Sequence, residues 1–120
     1  MPSAATRRQE RAAIHAAELL RALPPSVARI FEGQPMPTPR EIAGAGDGHG
    51  CEDALCVAVV GLVVLAADAA RRSGRRVPPW VAIDIMHRLN KRPRALPGVS
   101  SREAVAEWLG LVFWPLTRHI

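Results

Sequence analysis

The stretch GAGDGHGCEDALC, residues 44 to 56, gathers the side chains of this chain that could do chemistry. His49, Cys51 and Cys56 offer the nitrogen and sulfur ligands that zinc prefers, with a neighbouring aspartate as a fourth. The four residues between the cysteines fit the range of a zinc knuckle, but no second Cys or His pair accompanies them. A metal-responsive regulator is therefore kept as a third hypothesis only.

The relative position of the two cysteines depends on where the following helix begins. On a helix, Cys56 would lie five residues after Cys51 and roughly 140° around the axis, so the sulfur atoms would face apart. Only if Cys51 lies in the preceding loop can the chain fold back and bring them together. We place the start of the helix at about residue 51, and predict reduced thiols, no bound metal and no cofactor.

Other chemistry in this stretch is poorly supported. The glycines could present backbone N–H groups to a phosphate, but the Gly-Lys-Ser/Thr ending of a P-loop is missing. Glu52 and Asp53 already supply negative charge at this helix start. Further along, Asp84 and His87 are three residues apart, which indicates a surface ion pair. We predict no catalytic residues, a chain that is not an enzyme, and a flexible linker in which Asp47 or Asp53 caps the helix.

The elements that must position these residues are predicted to be helical. Residues 3–23 form a first helix with Ala13, Ala17 and Leu20 on its apolar face. Pro24 and Pro25 end it and begin a short second helix that reaches Gly33. Residues 33–50 form a Gly/Pro-rich loop, in which TPRE (residues 38–41) predicts one helical turn through a capping box.

The second half of the chain contributes the centre of the predicted fold. A helix over about 51–72 is apolar nearly all round, so the others must cover it. Its mid-run Gly61 indicates close packing against a neighbouring helix. A fourth helix starts near Pro79 with Ala82, Ile85, Met86 and Leu89 inward, and a Ser100–Glu103 capping box opens a fifth. The prediction is one all-α domain over residues 1–120, a compact bundle of four to five helices.

Length and composition also bear on location. The longest uncharged apolar run, residues 54–67, is shorter than the roughly 20 residues of a membrane span, so we expect a buried helix and no membrane contact. The N-terminal residues lack the apolar core of a secretory signal. Two cysteines are too few for a disulfide scaffold. We expect a cytoplasmic protein, and its arginine-rich composition suggests a bacterial, GC-rich coding sequence.

Basic residues are concentrated between residues 71 and 94, where eight basic side chains stand against one acid, Asp84. Such a block predicts phosphate contacts, and hence a nucleic-acid-associated accessory protein, as the alternative function. Arginines that complement the C-terminal dipoles of two helices explain the same charges without any ligand. The candidate contact residues are Arg71, Arg72, Arg75, Arg76, Lys91, Arg92 and Arg94.

The C-terminal segment EWLGLVFWPL carries apolar residues on more than one helix face. One face can be buried within a small bundle, and the other is free to meet a partner. Trp108, Leu111, Phe113 and Trp114 are the candidate interface residues, since aromatic side chains dominate protein interfaces. The leading hypothesis is a non-enzymatic regulatory or adaptor protein that acts through protein contacts, as a homodimer.

Overall fold

Six α-helices and one 3-10 turn make up the regular structure of residues 3–90 and 102–118, which are the residues described by the computed structural model. No strand occurs in these two ranges, so the predicted all-α class is confirmed. The elements are α1 (Ala4–Arg21), α2 (Pro25–Ala28), the 3-10 turn (Arg29–Phe31), α3 (Pro39–Gly46), α4 (Ala54–Arg72), α5 (Pro79–Asn90) and α6 (Arg102–Thr117). The Cα radius of gyration is 13.6 Å, about the value expected for a compact chain of this length.

Side-chain caps mark the starts of three of the described helices, α1, α3 and α4. The Ser3 hydroxyl accepts a hydrogen bond from the Thr6 amide at the start of α1. At α3, Thr38 and Glu41 form the predicted capping box, with each side chain bonded to the backbone of the other. At α4, the Asp53 carboxylate accepts from the Leu55 amide at 2.9 Å. Each cap satisfies backbone donors that have no partner within the helix.

The prediction that residues 33–50 form a loop is wrong over residues 39–46, whereas residues 33–38 and 47–50 are non-helical as predicted. An eight-residue helix, α3, occupies Pro39–Gly46 in place of the single turn predicted there. Tertiary packing extends it, because Ile42 and Ala43 are buried against the rest of the bundle. The central helix also begins at Ala54, three residues later than predicted, because Asp53 is its N-cap.

Helices α3 and α4 cross in close contact at two glycines. A Cβ atom on Gly46 would overlap the backbone carbonyl of Val57, and one on Gly61 would overlap the carbonyl of Ile42. Hydrogen in place of a side chain is therefore what lets the two backbones touch. The close packing predicted at Gly61 is confirmed, and α3 is the neighbour.

Helix α1 buries a different face from the one predicted. Ala12, Ala16 and Leu19 are inaccessible to solvent, while the predicted stripe of Ala13, Ala17 and Leu20 is half-buried beside them. The two alanines let α1 lie close to both α3 and α4, which are its principal neighbours. The size of the side chains, more than their hydrophobicity, decides which face of α1 is buried, since the larger Ile14 remains 62% exposed.

Helices α5 and α6 form an antiparallel pair. The guanidinium of Arg118, after the end of α6, lies 5.0 Å from the ring centroid of Trp80 at the start of α5. Near the other end of α5, Arg88 Nη1 donates to the carbonyl of Leu111 at 2.8 Å. Helix α5 buries Val81, Ile85 and Leu89. Ala82 and Met86, predicted inward, are exposed, so only Ile85 and Leu89 of that prediction hold.

The central helix, α4, is long and apolar enough to cross a membrane, and it is the single helix of that kind in the described ranges. Half of its most apolar window is buried inside the fold. Nine of its residues are buried, from Val57 to Ala70. It therefore packs within the bundle, in line with the buried helix predicted from its short apolar run.

Candidate functional site

The loop between α3 and α4 brings Cys51 back over the first turn of α4. Gly48 and Gly50 have φ angles of 82° and 78°, the left-handed backbone that other residues resist. The chain turns there before Asp53 starts the helix, and the Sγ atoms of Cys51 and Cys56 come within 2.8 Å of each other. The expectation that the sulfurs face apart is wrong, because it placed Cys51 on the helix.

The surroundings of the two cysteines are partly apolar and partly open. Both are reduced thiols of intermediate exposure, and both pack against the main core cluster. Cys51 also touches a second, smaller core cluster of Ala12, Ala43 and Val57. Its carbonyl accepts a hydrogen bond from Arg8 Nη1 at 3.4 Å, which ties the loop to α1.

An open cleft lies beside the thiol pair. Its walls include His49 and the two cysteines on one side and Met86, Leu89 and Trp108 on the other. Trp108 is 7% exposed, and its indole Nε1 has no hydrogen-bond partner within the part of the chain that the structure describes. The cleft thus lies between the start of α4 and the α5–α6 pair.

The arrangement does not assemble a metal centre from described residues. No group of three or more His, Cys, Asp or Glu side chains is placed there to hold an ion. His49 is exposed and shares the cleft with Cys51 and Cys56, but the three do not converge as ligands. What the geometry does offer is thiol chemistry between two adjacent sulfur atoms.

The four candidate interface residues of α6 divide between the core and the surface. Trp108 and Phe113 are buried, at 7% and 0% exposure, so neither offers a surface to a partner of this fold. Leu111 and Trp114 are 59% and 51% exposed. Helix geometry explains the division: Leu111 and Trp114 are one turn apart on the outer face, whereas Phe113 points the opposite way.

Two charged residues continue the exposed line of Leu111 and Trp114. Glu107 precedes it by four residues and Arg118 follows it by four, and both are exposed. The spacing of four, three and four places all of them on one side of α6. We call this set, Glu107, Leu111, Trp114 and Arg118, the α6 stripe. Sequence reasoning missed its two charged ends, although their spacing was readable.

The basic block is exposed where it is described, but part of it is already engaged. Arg71 lies 3.2 Å from the Asp68 carboxylate, and Arg72 donates to the Asp68 carbonyl near the end of α4. Arg75 and Arg76 are exposed in the turn that follows. The three remaining candidates, Lys91, Arg92 and Arg94, lie outside the described residues, as does the predicted cap Ser100.

The carboxylate of Asp84 has a different partner from the one predicted. It lies 3.2 Å from the Nε of Arg88, one turn along α5, and not against His87. The pair is a partly exposed i, i+4 ion pair, which contributes a few tenths of a kcal/mol, about 0.3–0.5. It holds Arg88 in place for the hydrogen bond to the Leu111 carbonyl.

The chain matches no protein-family model, no curated protein sequence and no solved structure.

Proposed function

We propose that this protein is a non-enzymatic helical regulatory or adaptor module of the bacterial cytoplasm, and that it acts by protein contact as a homodimer. The observation that carries the proposal is the α6 stripe. Two large apolar side chains are exposed at its centre and opposite charges stand at its ends. Exposed apolar groups rimmed by polar ones are typical of interaction surfaces.

The α6 stripe is complementary to a second copy of itself when the two helices pack antiparallel. Glu107 and Arg118 lie equally far from the midpoint of the stripe, and so do Leu111 and Trp114. A two-fold axis through that midpoint would set Glu107 of one copy against Arg118 of the other. It would also set Leu111 against Trp114. Such self-complementarity is what a symmetric dimer interface requires.

The surface beside the stripe can enlarge the contact. Trp80 of α5 is 39% exposed and is already joined to the stripe through Arg118. Ile83, one turn along α5, is 61% exposed. A specific interface usually buries at least about 1,000 Å² in total. Helix α6 alone is about 24 Å long, so the paired helices need this flanking surface to reach that area.

The first test measures the oligomeric state by sedimentation or light scattering at micromolar concentration. Wild type should be a dimer, and Trp114→Asp should weaken it by at least about tenfold, because an aspartate would be buried against a leucine. Ile14→Asp is the matched control, because Ile14 is also a large exposed apolar residue but lies on α1. A monomeric wild type would contradict the proposal.

A charge exchange tests the antiparallel register. Glu107→Arg or Arg118→Glu alone places like charges at both ends of the pair and should weaken the dimer several-fold. The double variant restores opposite charges and should recover most of the wild-type affinity. If the double variant is weaker than both single variants, the register is wrong.

A second function is favoured by the two arginines after α4. Arg75 and Arg76 are exposed. The Arg75 amide donates to the carbonyl of Ala70, but neither guanidinium makes a hydrogen bond or ion pair within the described ranges. Guanidinium groups presented in this way suit phosphate contacts, as in a nucleic-acid-associated accessory protein. The salt dependence of binding separates this function from the first.

A further inference from the structure

We propose that Cys51 and Cys56 form a reversible disulfide within the chain, which makes this loop a site of thiol–disulfide exchange. Its substrate class is a low-molecular-weight disulfide as oxidant, and a dithiol reverses the reaction. The proposal goes beyond dimerisation and does not depend on it. No residue of the α6 stripe takes part.

The first support is the distance between the sulfur atoms. At 2.8 Å they are closer than unbonded sulfurs normally approach, and a disulfide of about 2.05 Å needs a movement of less than about 1 Å. The backbone between them can adjust, because Cys51 lies in an exposed loop that contains the turns at Gly48 and Gly50. Only one of the two cysteines is fixed by a helix.

The second support is access. Both residues are only partly buried, and they face an open cleft, so a small disulfide can reach them. They are separated by four residues, so the second thiol is always near the first. A mixed disulfide formed at one sulfur is therefore resolved within the chain faster than by a second molecule of oxidant.

The chemistry is two successive exchanges. The thiolate of one cysteine attacks a sulfur of the oxidant R–S–S–R, forming a protein–S–S–R bond and releasing R–S⁻. The thiolate of the second cysteine then attacks the protein sulfur of that bond and releases the second R–S⁻. Two protein thiols have been oxidised, one small disulfide has been reduced to two thiols, and the two protons are taken up by the leaving thiolates.

Oxidation would also change the cleft. The bond would fix the α3–α4 loop to the first turn of α4, along the wall that faces Met86, Leu89 and Trp108. Cys51 already links the two core clusters of the fold. A covalent bond to Cys56 would hold that link for as long as the disulfide remains oxidised, which is expected to stabilise the α1–α3–α4 contact.

The test exposes purified wild-type protein to oxidised glutathione, alkylates it under denaturing conditions and measures its mass. The expected product is one chain that has lost two hydrogens, about 2 Da, and takes up no alkylating agent. Dithiothreitol should restore two alkylatable thiols. The melting temperature of the oxidised form should rise by several degrees, because the bond restricts the unfolded chain.

Single-cysteine variants are the controls. Cys51→Ser and Cys56→Ser should each stop at one glutathione adduct per chain and show no rise in melting temperature. Two glutathione adducts on the wild type, or two thiols that remain alkylatable, would overturn the proposal. So would near-equimolar zinc, removed by a chelator and lost in both variants. Sedimentation of the oxidised protein reports dimerisation separately.

Discussion

At the scale of single residues, the close crossing of α3 and α4 depends on two glycines. The backbones touch at Gly46 and Gly61, so neither position has room for a Cβ atom. Protein interiors are packed too tightly to absorb such an overlap without movement of a whole helix. The stability of the fold should therefore respond to one added methyl group.

Gly61→Ala is expected to lower the free energy of unfolding by at least about 2 kcal/mol, because its methyl group would push α3 away from α4. Thermal or urea denaturation measures the change. Gly44→Ala, on the exposed face of α3, has open space at its Cβ. There the same substitution should be neutral or stabilise by up to about 1 kcal/mol. Equal effects at the two positions would rule out the close crossing.

The sequence predicted the contact at Gly61 but not the pairing of the cysteines, and the reason is physical. A glycine within a long apolar helix has few explanations other than close packing. The direction of Cys51 instead depends on whether the helix starts at residue 51 or 54, a shift that turns side chains through most of a circle. Helix boundaries are set by caps such as Asp53. The sequence offered both Asp47 and Asp53 as the cap of this helix, so its first residue could not be predicted.

At the scale of helices, α3 shows how a local signal and a tertiary contact combine. The capping box of Thr38 and Glu41 was readable, because it needs only residues three apart. The continuation to Gly46 was not, because it depends on burial against α1 and α4. An isolated helix of this length is unstable in water. The glycine-rich composition of this segment correctly indicated its low helix propensity, but composition does not reveal the packing against α1 and α4 that stabilises the helix.

Thr38→Ala should destabilise the protein by about 1 kcal/mol, because it removes the hydroxyl that accepts the Glu41 amide. Chemical denaturation measures the change. Thr38→Ser retains an oxygen in the same place and should stay within about 0.5 kcal/mol of wild type. A cost as large for serine as for alanine would assign the effect to the lost methyl group.

Helices α1 and α6 show that hydrophobic periodicity alone does not predict which face of a helix is buried. Both helices have apolar residues on more than one side, so a pattern of spacing fits several orientations. In α1 the alanines turn inward and Ile14 outward. In α6 the structure was needed to divide Trp108 and Phe113 from Leu111 and Trp114.

At the scale of the whole molecule, positive charge lies at both ends of α4. Arg75 and Arg76 follow its C-terminal end, whereas Arg7 and Arg11 of α1 lie beside its N-terminal end, near Ala54. This separation provides two patches of the same charge for comparison. Only the first belongs to the predicted nucleic-acid contact.

If the protein binds duplex DNA through the first patch, the logarithm of its affinity should fall with the logarithm of salt concentration, by about 0.9 per phosphate contact. Arg75→Glu with Arg76→Glu should weaken binding to all sequences alike. Arg7→Glu with Arg11→Glu changes the net charge equally and should weaken it less. Equal losses of affinity in the two double variants would indicate attraction by net charge and no contact at the first patch. If the wild type does not bind DNA even at low salt, this function is ruled out.

The crossing of α3 and α4 has a consequence for the order in which the chain folds. Gly46 and Gly61 are 15 positions apart (61 − 46), so their contact closes a short loop at modest entropic cost. The contact of α1 with α4 spans a longer segment and must be made later or more slowly. The α3–α4 pair is thus suited to be the first tertiary structure to form. The same loop holds the two cysteines, so the thiols would meet early, before the cleft around them is complete.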